Sequence, residues 1–211
     1  MSDGSKSLSL GDVVSVATFA IALLTAWLYV AGWSYTYHYF DRFRIPLLMV
    51  DLPKEQVFIY GGLVTWKNPG AAVGIGACII AFIWACTRWS QRLGRFGVST
   101  LVILAVIGLF VLARVGGTGT ARSDFQAQRD SDYRAYPRLS LTLKKETGEA
   151  VGTTLADIVT AGCGRLLLVS GGRLFVIRPI RGAAGVELDS FIIPLDRVEV
   201  FRIQADYTSC P

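Results

Sequence analysis

The sequence predicts an α+β membrane protein, with three transmembrane helices followed by a small β-rich soluble domain. Three observations lead there. Residues 13–33, 70–87 and 96–113 contain no Asp, Glu, Lys, Arg or His. Only 18% of the chain is charged, against about 25% in a typical soluble domain. Beyond residue 137 the apolar repeat changes to two, the period of a half-buried strand. The expected division is therefore 1–116 transmembrane, 117–137 linker or short helix, and 138–211 β domain.

The first span, 13–33, would be roughly 30 Å long as a helix, the thickness of a hydrocarbon core. A signal peptide fits poorly, because the run is long and has no small-residue cleavage site after it. The residues at its end are largely aromatic. Trp33, Tyr35, Tyr37, His38 and Tyr39 make a candidate interfacial belt, since amphipathic rings favour the headgroup zone. The helix should run a turn or two past Trp33 and stop at Ile45-Pro46, because proline disfavours helix in the residue before it. His38 is the only histidine. Without Cys, Asp or Glu at ligand spacing it reads as an interfacial polar residue, and no metal site is expected.

Lys67-Asn68-Pro69 interrupts a long apolar stretch. It places the second span at 69–87, with Pro69 in the first turn, where a missing N–H costs nothing. Segment 47–66 is then interfacial or re-entrant, or holds a short helix starting near Pro53. Gly70, Ala72, Gly74, Gly76 and Cys78 give this span a small-residue face suited to close helix packing. The third span, 96–114, has no internal charge, which weighs against an ion path. Arg88 to Arg95 is expected as a tight loop between the two.

Gly116-Gly117-Thr118-Gly119 reads as a flexible exit. The β domain begins with Leu139, Leu141 and Leu143 alternating with polar residues, then a turn at 145–148 and one or two helical turns at 153–160. Two runs, 165–170 and 173–178, flank Gly171-Gly172, a two-residue link of the tight-hairpin kind. Pro179 should end the second run, 182–185 should be a loop, and 188–195 and 197–204 supply two more strands. About five strands result, as a meander or a small barrel. The rhythm of Leu166–Ile177, Ile192-Ile193-Pro194 and Val198–Ile203 resembles the sheet of pleckstrin-homology-like bacterial domains.

No catalytic constellation stands out. The β domain has no histidine to activate a nucleophile. Its carboxylates, Glu187, Asp189, Asp196 and Glu199, read as solvated turn residues, and its glycines lack a phosphate-loop Lys. No cofactor is expected. Cys163 and Cys210 either pair, which requires an oxidising compartment, or remain buried thiols. The net charge of +5 reflects Arg residues flanking the spans, and no nucleic-acid partner is expected.

The function these features favour is non-enzymatic: a sensor, anchor or assembly subunit in the cell (inner) membrane. Its partners would be lipid and either another protein or further copies of the chain. The three Arg of 88–95 favour an extracytoplasmic β domain. The alternatives are a membrane-disrupting or channel-forming effector with a cytoplasmic β domain, and a lipid-acting enzyme using His38.

Overall fold

The structure is a computed structural model that describes residues 10–144, 164–182 and 185–204. Those residues form an α+β fold of three helices and a five-stranded antiparallel open sheet. The helices are α1 (Leu10–Arg42), α2 (Lys54–Lys67) and α3 (Pro69–Asp130); the strands are β1 (Arg138–Leu143), β2 (Gly164–Ser170), β3 (Arg173–Gly182), β4 (Gly185–Pro194) and β5 (Val198–Gln204). Among the described residues, two stretches are long and apolar enough to cross a bilayer, Ala17–Arg42 and Ile103–Asp130.

The expected separation of the second and third spans by a loop is not observed. Residues 88–95 are helical, and so is the glycine-rich 116–119, both within α3. Yet α3 is no straight rod. At about 1.5 Å per residue, a straight helix would hold Pro69 and Thr120 roughly 77 Å apart. Asn68 Nδ2 instead donates to Thr120 Oγ1 at 2.8 Å. The helical run must double back between them.

The chain divides into two compact units that interleave in sequence. One holds Met1–Thr36 and Lys54–Thr120; the other holds Tyr37–Pro53 and Ala121–Pro211. The segment between α1 and α2 thus belongs with the sheet. Within it, Leu47–Met49 forms a 3-10 turn.

Both helix ends that enter the second unit stop in the same way. At the end of α1, Ile45 N–H donates to Phe40 O at 3.1 Å and Arg44 N–H to Asp41 O at 2.9 Å. At the end of α3, Tyr133 N–H donates to Gln128 O at 2.7 Å and Asp132 N–H to Arg129 O at 3.1 Å. This pair of reversed bonds is a Schellman stop, which needs a left-handed residue. Arg44 and Asp132 fill that position with φ of 56° and 53°. Pro46 comes directly after Ile45, as the sequence suggested.

The sheet order is β4-β3-β2-β1-β5. It is open rather than a barrel, with β4 and β5 as its edges. The β2–β3 hairpin turns through Gly171 and Gly172 at φ of 55° and 71°. Positive φ at both central residues suits the right-handed twist of the flanking strands. Leu166 pairs with Val176 and Leu168 with Phe175, leaving Leu167 as a bulge. β3 does not end at Pro179 but continues to Gly182, paired with β4. A proline fits there because the β2 ladder goes no further than Arg165 opposite Ile177. Leu174, Phe175, Val176 and Ile177 are all fully buried, so this strand is covered on both faces.

Candidate functional site

In the helical unit, the closest approach is between backbones. A Cβ added at Gly32 would stand 1.9 Å from Val57 O, and one at Gly61 would stand 2.0 Å from Leu28 O. One added at Gly117 would meet Ala31 O at 2.6 Å. Glycine at these three positions is what lets α1 touch α2 and α3. Side-chain hydrogen bonds reinforce each contact. Trp27 is buried and its Nε1–H donates to Thr65 Oγ1 at 3.2 Å. Ser34 Oγ donates to Arg114 O at 3.0 Å. Asn68 Nδ2 bridges Val64 O and Thr120 Oγ1, each at 2.8 Å. Short polar side chains that bond across helices are a recurring glue where the surroundings are apolar.

Among the described residues, the glycines of the small-residue face singled out from sequence take no part in these close approaches. A Cβ at Gly70, Gly74 or Gly76 would meet nothing within 4 Å. The side chains of Ala72 and Cys78 lie outside the described residues, as do Cys163 and Cys210, the turn at 145–148 and the segment 153–160. Sequence reasoning missed Gly32, Gly61 and Gly117. The available signal was a glycine recurring in charge-free helix, where its low helix propensity needs a reason.

In the sheet unit, Phe43 is the hub. It is fully buried, with the rings of Phe125, Tyr39, Tyr133 and Tyr136 centred 5.2, 5.3, 6.2 and 6.3 Å away. These residues come from the last turns of α1, the last turns of α3 and the segment beyond α3. The cluster also takes in Phe175 and Ile177 of β3. Around it, the hydroxyls of Tyr39 and Tyr136 share a hydrogen bond. Ser190 Oγ donates to Phe43 O, and Ser170 Oγ donates to Asp51 O at 2.7 Å. Two strand serines thus fasten the segment after α1 to the sheet. Arg165 is fully buried and gives Nη1–H to Tyr136 O at 2.9 Å. The Tyr133 hydroxyl is buried with no hydrogen-bond partner among the described residues, and burial pushes its pKa up to about 12 from 10.0; Arg129 pulls against the rise and Tyr39 adds to it.

The aromatic belt read from the sequence splits by helical phase. Trp33 and Tyr37, four residues apart, face outward and are 46% and 50% exposed. Tyr35 and Tyr39 face inward: Tyr35 is buried against Tyr60, with ring centres 5.2 Å apart, and Tyr39 joins the Phe43 cluster. His38 is half-buried, edge-on to Tyr37. Among the described residues no group of three His, Cys, Asp or Glu is placed to hold a metal. Glu187 and Asp189 lie on β4 and Glu199 on β5, at opposite edges of the sheet, with Asp196 in the turn before β5.

Comparison of the chain with protein-family models, curated proteins and solved structures returns no match.

Proposed function

We propose that the chain is a non-enzymatic integral membrane protein that holds a small β unit beside the bilayer and acts as a sensor, anchor or assembly subunit through protein contacts. The Phe43 cluster carries this reading. The last turns of α1 and of α3 are core components of the β unit, packed in one cluster with Phe175 and Ile177 of the sheet. A displacement of either helix end has to be accommodated in the same packed cluster as the sheet.

Three crossings are part of the proposal. The bond from Asn68 to Thr120 supports them, because it requires the long helical run to reverse. Two equal arms would turn at about residue 94, given a uniform rise per residue. That falls within the arginine-rich segment 88–95. A single compact unit holding both Tyr37–Pro53 and Ala121–Pro211 supports placing the first loop and the β unit on one side of the bilayer. We assign that side as extracytoplasmic from the three arginines of 88–95.

Co-purification in mild detergent at native expression tests the function. A partner or a homo-oligomer should be retained, and a clean monomer would refute the reading. A cysteine placed in 145–150 tests the side. It should react with an impermeant reagent on intact cells, and labelling only after lysis would reverse the orientation.

A further inference from the structure

The outer face of α2 is apolar where a helix facing water would be polar. Its inner stripe, Val57, Gly61 and Val64, is buried. Its outer stripe includes Ile59, 69% exposed, and Trp66, 85% exposed. Between Glu55 and Lys67 the helix carries no charge. A helix apolar on every side belongs in a protein core or in lipid, and among the described residues none covers the outer face. The 14 residues of α2 measure roughly 21 Å, short of the ~30 Å hydrocarbon core, so α2 does not cross alone. It is held backbone-to-backbone on α1 at Gly61 and Leu28, within the stretch Ala17–Arg42 that is apolar and long enough to span. The same stretch of α1 exposes the apolar side chains of Ile21, Leu24 and Trp33.

We infer that the Ile59–Trp66 face of α2 docks on lipid, as an interfacial helix clamped to the first span. This rests on the membrane reading above and names the partner of one surface within it. Trp66 is the depth marker: its ring belongs at the boundary between headgroups and acyl chains, as does that of the exposed Trp33. Lys54 and Lys67 bound the helix, and their long stems let the charged ends reach the aqueous side.

The experiment uses the full chain in phosphatidylcholine–phosphatidylglycerol vesicles. The emission of Trp66 is the difference between the native chain and Trp66→Phe, and Trp33→Phe gives that of Trp33. The Trp66 component should be blue-shifted, largely lost when the acyl chains are brominated, and spared by aqueous iodide. If iodide removes the Trp66 component while brominated lipid removes that of Trp33, α2 faces water and the inference is overturned with the membrane reading intact. If iodide removes both, the membrane reading falls and this inference with it. Trp66 is 85% exposed, so its replacement by Phe removes little packing among the described residues.

Discussion

Ile45 and Tyr133 hold the same position in two separate helix stops, and both are buried in one apolar cluster. Each comes directly after the left-handed residue, and each returns its N–H to a carbonyl five residues back. The cluster that receives them also contains Phe175 and Ile177 of the sheet. Helix termination and sheet docking are therefore one structural event. A residue that stops the helix also plugs the core. Truncating either side chain should cost about 2–5 kcal/mol, the range for deleting a large buried side chain. Urea unfolding of the detergent-solubilised chain, followed by near-ultraviolet circular dichroism, measures it.

Arg44 occupies the left-handed position of the first stop, where glycine is usual. A Cβ in that region costs about 1 kcal/mol or more. Glycine removes this strain but adds freedom to the unfolded chain. Arg44→Gly should therefore stabilise the β unit by a net ~0.5 kcal/mol, since the strain exceeds that entropy. Asp132→Gly should gain less, because Asp tolerates the conformation better. The midpoints of paired urea curves give the comparison, and a loss of stability in Arg44→Gly would contradict the strain argument.

Tyr133 combines a buried hydroxyl, without a hydrogen-bond partner among the described residues, with a φ of 56°. Tyr133→Phe keeps the ring and removes only the unsatisfied group, so stability at neutral pH should be unchanged or higher. The pH dependence has a definite sign. The folded state holds the phenol proton up to about 12, whereas the unfolded state releases it near 10.0. The stabilising contribution is complete below the lower value and is lost as pH rises through the upper one. Absorbance titration of tyrosinate should show one late-titrating group in the native chain that is missing from Tyr133→Phe.

The parts of the fold legible in the sequence are those with local causes. Gly171-Gly172 fixes a hairpin because both residues must adopt positive φ. Ile45-Pro46 marks the end of α1 because proline restricts its predecessor. The illegible parts have causes remote in sequence. Gly117 looks like a flexible exit, yet it is helical because its missing Cβ admits the backbone of Ala31, 86 positions earlier. Tyr39 looks interfacial, yet it joins the core cluster because it packs on Phe43 and shares a hydrogen bond with Tyr136, 97 positions later. Pro179 looks like a strand end, yet only the shortness of the β2 ladder decides that it is tolerated. The close approaches at Gly32, Gly61 and Gly117 are illegible for the same reason, since small residues occur on many faces and only the tertiary structure selects one.

That selection can be tested by adding single methyl groups. At Gly32 and Gly61 the new Cβ would fall about 2 Å from a backbone carbonyl oxygen, far inside any allowed contact. No rotamer relieves this, because both atoms belong to rigid helices. The helices must separate, which also stretches the Trp27–Thr65 hydrogen bond. Gly32→Ala and Gly61→Ala should each destabilise the helical unit by at least the ~1–3 kcal/mol typical of overpacking. Gly62 is the control. It neighbours Gly61 on the same helix, but a Cβ there meets nothing within 4 Å. Gly62→Ala should therefore be neutral or stabilising by up to about 1 kcal/mol, the helix-propensity gain of alanine over glycine. Thermal unfolding in one detergent compares the three variants. Equal changes at positions 61 and 62 would mean that the close approach of α1 to α2 does not set the cost of the added methyl group.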